Sequence, residues 1–231
     1  MTQHRSFENG FAGSSVLIAG ATGGIGSALA RELSDRGAAV TLVARQADRL
    51  EQLDIPGARL ALDLRSMDHC HQAIHQAKAA TGKLDAVINA VGVVAFGPVA
   101  DLSIDAMEEL FLTNTFIPMM LAQAAVDHLS PGGVLVNLSG VIAERNLPGM
   151  AAYGASKAAV AAFDTALARE VRRAEIRVLD ARPPHTETGL ADRAIEGSAP
   201  LMREGLQPER VAKVICDAIE QGVDDLPSTA F

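Results

Sequence analysis

Tyr153 and Lys157 stand four residues apart in Tyr153-Gly154-Ala155-Ser156-Lys157, inside a run that reads as helix. Positions i and i+4 share one helical face, so the phenol and the ammonium point to one place. A cation beside a phenol favours phenolate and lowers its pKa from roughly 10. A phenol tuned in this way donates and accepts protons near neutral pH. The chain has a single Tyr and four Lys, so their pairing is informative. An isolated pair reads more readily as a partly buried Tyr beside a solvated Lys, and its surroundings have to decide.

A second group of residues suits a dinucleotide. Gly20, Gly24 and Gly26 follow a short apolar run and open a helix, with Thr22, Gly23 and Ile25 completing the turn. Glycines here permit a tight turn and close backbone approach to a pyrophosphate, and the helix N-terminus adds free N–H groups. The next strand ends at Ala44-Arg45, with no acid before Asp48. An acid in that place binds the ribose 2′-OH of NAD, whereas a guanidinium suits a 2′-phosphate. NADP(H) is therefore preferred, with NAD(H) as the alternative and a solvated Arg45 as the plain one. Asp63 and Leu64 end the following strand and are expected beside the adenine. Asp63 would accept from the adenine amino group, or else cap the helix that follows.

The elements that must position these residues alternate regularly. Strands are expected at 16–19, 39–44, 60–64, 84–91, 134–138 and 176–181, with a short one near Ser228. Helices are expected over 27–36, 66–80, 103–129 with a bend at Pro118, about 151–173, and from Pro208 to Gln221. Such alternation predicts parallel βαβ units and a single doubly wound, Rossmann-like α/β domain with helices on both faces. Residues 1–14 read as a flexible lead-in, 15–231 as the domain, and 185–207 as an irregular lid. In a doubly wound sheet ligands bind at the carboxyl ends of the strands. The Gly20 cluster, Asn89–Gly92, Ser139-Gly140 and Pro183–Thr188 all fall there.

Composition narrows the class. The chain has 231 residues, 48% hydrophobic and 21% charged, with a net charge of -8. That charge argues against nucleic acid, since Arg172-Arg173 is too small a basic cluster. No apolar run is long enough to span a bilayer, and the first residues lack a signal-peptide core. Cys70 and Cys216 make no metal or redox motif, and a cytoplasmic protein with reduced thiols is expected. His69, His71 and His75 crowd one helix around Cys70. His71 and His75 have the spacing of a helical metal pair, but no acid joins them, and a solvated polar face is expected.

Taken together, the glycine turn, Asn89-Ala90-Val91-Gly92, Asn114 within Leu112–Thr115, and Tyr153–Lys157 resemble the short-chain dehydrogenase/reductase family in its single-domain form. The resemblance runs from about Ser15 to Gln221. It implies an NAD(P)-dependent oxidoreductase acting on a carbonyl or secondary alcohol. Tyr153 would be the general acid or base. Lys157 would hold the nicotinamide ribose and lower the Tyr153 pKa. Asn114 would support a water-linked proton relay. Asn89, Ala90, Gly92, Pro183 and Thr188 would join the glycine turn around the cofactor. A homodimer or homotetramer through the two long helices is also implied, and the alanine-rich stretches near Ala158 and Ala161 allow close helix approach.

Two departures stand out. The family's catalytic serine lies thirteen residues before the tyrosine, where this chain has Gly140. Ser139 is one residue early. Either it reaches the substrate through a shifted loop, or the third catalytic side chain is absent. After the sixth main strand the family's Pro-Gly reads Pro183-Pro184, and His185 follows. His185 is expected to line the substrate pocket with Ser139 and Gly140, and to supply the hydrogen bond that Gly140 cannot; a solvent-facing histidine is the plain alternative. Leu190, Ile195, Leu201 and Met202 would make the pocket apolar. These departures keep open a weakly active NADP(H)-binding sensor. A methyltransferase on a similar sheet would need neither Tyr153 nor Lys157.

Overall fold

The computed structural model describes Phe7 and residues 10–231. Seven parallel strands form one sheet in the order β3-β2-β1-β4-β5-β6-β7. They are β1 (Ser15–Ala19), β2 (Ala39–Ala44), β3 (Ala58–Ala61), β4 (Ala86–Asn89), β5 (Val134–Leu138), β6 (Arg177–Ala181) and β7 (Asp225–Leu226). Strands β1, β4 and β5 are continuous apolar runs because both sheet faces are covered. One face packs α1 (Gly24–Asp35) and α7 (Pro208–Gln221) over Val16, Ile18, Ile88 and Val136. The other packs α3 (Met67–Thr81), α5 (Ile117–Ala125) and α6 (Ala151–Glu170) over Leu17, Val87, Leu135 and Val178. The short α2 (Ala47–Glu51) links β2 to β3, and α4 (Ile104–Phe111) precedes α5.

Strand order reverses between β1 and β4. Their carboxyl ends diverge there and leave the crevice in which such sheets bind ligands. The two turns that follow these strands touch. A Cβ on Gly20 would come within 2.8 Å of the Ala90 carbonyl.

Three sequence expectations are corrected. The third strand is Ala58–Ala61, not 60–64, because β2 ends at Ala44 and offers no ladder partner beyond it. The helix expected over 103–129 is not simply bent at Pro118. Leu112–Phe116 forms a π-helical turn between α4 and α5, and Pro118 sits in the first turn of α5, where its missing N–H costs little. The last strand is Asp225–Leu226, and Ser228–Ala230 is a 3₁₀ turn. The lead-in is packed where it is described: Phe7 and Phe11 are buried, with ring centroids 5.0 Å apart, and Arg36 lies over Phe11. The remainder of 1–9 lies outside the described residues.

Candidate active site

The glycine turn is built by contact. A Cβ on Gly26 would stand 2.1 Å from the Gly20 carbonyl oxygen, and one on Gly24 2.7 Å from Cβ of Thr188. Gly23 N–H donates to Gly20 O at 2.9 Å, closing the turn. Helix α1 then starts with no side-chain cap and no acid in its first turn. Its free N–H groups and positive dipole end face a cleft that Gly23, Gly24 and Ile25 help to line. A glycine-rich turn beside an uncapped helix of this length fits a pyrophosphate.

The far side of the expected dinucleotide site is more mixed. Arg45 is exposed at the end of β2. Arg49, which the sequence did not single out, donates to the Thr22 carbonyl at 2.9 Å and so leans over the glycine turn. Asp63 neither caps α3 nor stands free. It forms an ion pair with Arg65 at 2.6 Å, and that guanidinium holds its carboxyl below the usual carboxylate range. The Leu64 side chain is buried in the core beneath the sheet.

At the centre, the π-helical turn carries Asn114, which is fully buried. Its Oδ1 accepts from Val93 N at 2.8 Å, and its Nδ2 donates to Val93 O at 2.9 Å and to Ser156 Oγ at 3.0 Å. Ser156 Oγ donates to the Tyr153 carbonyl at 2.7 Å. A side chain on Gly92 would meet Asn114 Oδ1 at 3.4 Å and Lys157 Nζ at 3.5 Å. The end of β4, the π turn and α6 therefore converge on one spot. Asn89 Oδ1 accepts from Val91 N at 3.2 Å and shapes that strand end.

Lys157 is buried, and its Nζ donates to Leu138 O at 2.7 Å. Burial pulls its pKa down to about 8, with Asp180 acting the other way. Burial pushes the Tyr153 phenol up to about 12. This reverses the sign expected from Lys157 as a neighbour, because desolvation of the half-buried ring dominates in the protein alone.

The residues around the family's missing serine have separate fates. Ser139 borders the same cleft as Tyr153 but is fully buried, and its hydroxyl donates to Asp180 on β6. Gly140 has φ +79 and ψ 164, a conformation closed to L side chains. The space beside it is open: a Cβ on Gly140 would lie 3.8 Å from Pro183 O, so the backbone and not crowding excludes a serine. His185 lines the cleft and its Nε2 lies 3.3 Å from Glu187 Oε1. Glu187 Oε1 also accepts from Gly205 N at 2.6 Å, which ties the two ends of the 185–207 segment. Thr188 accepts from Leu190 N at 3.2 Å and packs on Gly24; Pro183 O accepts from Val141 N at 3.0 Å.

These groups surround a cleft of about 290 Å³. Val94, Phe96, Ile142, Leu147, Met150 and Met202 make its far wall apolar. Leu190 also lines it, whereas Leu201 is fully exposed, and Ile195 N instead bonds to Val94 O at 2.8 Å. Arg193, which donates to the Thr188 carbonyl at 3.2 Å, is a cation in the cleft that sequence reasoning missed. The buried acids Asp164 and Asp180 were also missed. Each was legible as a charge within an apolar stretch, on α6 and β6 respectively. The histidines of α3 lie elsewhere: His75 meets His128 edge-on at 4.6 Å, and His69 Nδ1 lies 2.9 Å from Asp63 O.

Comparison with known proteins agrees with this geometry. A family model described as short chain dehydrogenase matches residues 14–198. Among curated proteins, an acetoacetyl-CoA reductase from Acinetobacter is 31% identical over 89% of this chain and 90% of its own. The hydroxynaphthalene reductase arp2 of Aspergillus fumigatus is 27% identical over 88% of this chain and 84% of its own. A solved dehydrogenase/reductase from Sinorhizobium meliloti superposes with a TM-score of 0.80 at 26% identity, covering 95% of both chains.

Proposed function

This chain belongs to the short-chain dehydrogenase family, and from that premise we propose that it is an NADP(H)-dependent oxidoreductase interconverting a carbonyl and a secondary alcohol on a small to medium substrate. The observation that carries the reading is the convergence of Gly92, Asn114 and Lys157 beside Tyr153, next to the bare N-terminus of α1. Bound, the nicotinamide would supply or accept the hydride. Gly20, Gly24 and Gly26 would admit the pyrophosphate, and Thr188 and Lys157 would hold the nicotinamide half. NADP(H) is favoured over NAD(H) by exposed Arg45, with Arg49 on the Thr22 carbonyl beside it and no acid at the strand end.

The residues of the chain divide the remaining work. In reduction, Tyr153 gives its proton to the developing alkoxide. A phenol pushed up to about 12 by burial stays protonated until that oxygen needs the proton. Lys157, buried and still largely charged at neutral pH, lowers the cost of the phenolate left behind. Asn114 keeps the π turn and α6 in register through Val93 and Ser156. His185 takes the place of the missing serine as a hydrogen-bond donor to the substrate, held by Glu187. The apolar wall selects a substrate with a nonpolar end. The cytoplasm is the proposed compartment, on the two free thiols Cys70 and Cys216. A homodimer or homotetramer through α4, α5 and α6 is proposed from the exposure of Phe116 on that side.

The test is consumption of NADPH with a ketone panel that includes acetoacetyl-CoA, followed at the nicotinamide absorbance. Tyr153→Phe is expected to lose turnover and to keep cofactor binding. A second reading, a cofactor-binding sensor, is favoured by one observation: the Ser139 hydroxyl is committed to Asp180 while Gly140 has no side chain. Tight NADPH binding with no turnover of any ketone by the wild type would select it.

A further inference from the structure

Three consecutive residues at the end of β5 each bind a different buried ionisable group. Asn137 Nδ2 donates to Asp164 Oδ1 at 2.7 Å. The Leu138 carbonyl accepts from Lys157 Nζ at 2.7 Å. The Ser139 hydroxyl donates to Asp180. All three groups are more than nine-tenths buried, at 3%, 7% and 6% exposure for Asp164, Lys157 and Asp180. Lys157 and Asp164 lie seven residues apart on α6, on one helical face. Asp180 stands directly across from Asn137 in the β5–β6 register. The Asp180 carboxylate is completed by Arg182 Nη1 at 2.5 Å. Arg182 in turn binds Glu144 at 2.6 Å and reaches Asp225 on β7.

A buried ammonium is costly unless an opposite charge or good hydrogen bonds compensate it. Among the described residues no carboxylate lies within salt-bridge distance of Lys157, and its Nζ donates instead to a neutral carbonyl. Few charged or titratable groups lie on the elements packed against it, and His185 and Arg193 line the cleft that it also lines. Helix α6 offers Tyr153 and Asp164, β6 and its end offer Asp180 and Arg182, and Arg182 is matched outward by Glu144 and Asp225. The π turn and β4 offer only the neutral Asn114 and Asn89.

We propose that Asp180 is a positioning residue for the reaction: it is the counter-charge of Lys157, coupled to it through the 137–139 segment that both groups grip. This inference rests on the reductase reading for its catalytic meaning, though not for its test. Two observations accompany it. Asp180 is the one charge that opposes the burial-driven fall of Lys157 to about 8. Burial, opposed by the Asn137 hydrogen bond and reinforced by Asp180, pushes Asp164 up to about 8, so its proton leaves the negative charge with Asp180. The sequence departure at Ser139 then has a use. Its hydroxyl orients the counter-ion of the lysine instead of meeting the substrate.

The chain's four lysines, Lys78, Lys83, Lys157 and Lys213, make the test direct. The full chain is labelled with lysine carrying carbon-13 at Cε and titrated by NMR without cofactor or substrate, with Lys157 assigned by Lys157→Met. Lys157 of the wild type is expected to titrate near about 8. Asp180→Asn keeps the shape and removes the charge, and is expected to lower that midpoint by about one pH unit or more. Ser139→Ala keeps the charge and is expected to move it by less than about half as much. An unchanged midpoint in Asp180→Asn, or an equal shift in Ser139→Ala, overturns the proposal. If Asp180→Asn does not fold, Asp180→Ser, which also removes the charge and leaves Arg182 paired with Glu144 and Asp225, carries the same expectation. Failure of the reductase reading appears separately, as a wild type that turns over no ketone while the lysine shift persists. Where both hold, the alkaline limb of NADPH binding moves down with the lysine midpoint.

Discussion

The hydroxyl of Ser139 donates to Asp180 on the neighbouring strand and is sealed from solvent. The serine one place before Gly140 is thereby expected to be structural. Ser139→Ala is expected to keep kcat within about threefold of wild type and to cost about 1.5–3 kcal/mol in urea unfolding, because a buried carboxylate loses a donor. A loss of turnover beyond a hundredfold with unchanged stability would return Ser139 to the catalytic set.

Gly140→Ser is expected not to restore a family-like serine. At φ +79 and ψ 164 the substitution forces the loop to move or to bear about 1–3 kcal/mol of strain. Lower stability with no gain in kcat is the expected pair of results, read by unfolding and by the ketone assay. A gain in kcat would mean that the loop rearranges cheaply.

Asp164 makes stability pH-dependent. Its folded pKa of about 8 lies above the unfolded value of 3.8, so its contribution is complete below about pH 4 and is lost as pH rises to 8. Asp164→Asn removes the titration. It also places an uncharged amide where Asp164 Oδ2 has no hydrogen-bond partner. The variant is expected to be more stable than wild type at pH 9 by about 2 kcal/mol or more, with the advantage shrinking toward pH 5. Parallel urea midpoints across that range check it. Lys157 slopes the opposite way, since its depressed pKa costs stability as pH falls from 10.5 to about 8, so Asp164 is best isolated below pH 7.

The cofactor's outer end is tested by Arg45→Ala. NADPH affinity, measured by fluorescence titration, is expected to fall about tenfold or more, with NADH affinity nearly unchanged. Equal effects on both cofactors would remove the 2′-phosphate from Arg45. Arg49→Ala, which frees the Thr22 carbonyl, is the companion variant.

Gly24→Ala places a methyl 2.7 Å from Thr188 Cβ, where real Cβ atoms do not go. The segment at Thr188 must shift, so cofactor affinity is expected to fall at least about tenfold while the rest of the fold persists. Gly26→Ala, at 2.1 Å from backbone, is expected to be worse and to reduce stability as well.

What was legible in the sequence was set by local chemistry and by period. Apolar runs alternating with helical faces determined a parallel doubly wound sheet. The strand–glycine–helix order determined the glycine-rich turn at α1, and the four-residue spacing of Tyr153 and Lys157 put both on one face of α6. The tertiary structure alone decided three matters. The reach of β3 depended on where its partner β2 ends. The sign of the Tyr153 shift depended on desolvation, which is a property of everything packed around the ring and not of its neighbour at i+4. The direction of Ser139 depended on Asp180, forty-one residues away in the chain, brought alongside only when β5 and β6 pair. Spacing along the chain determines which residues share a face; burial and cross-strand partners exist only once the sheet has closed, and they decide which of those residues are free to react.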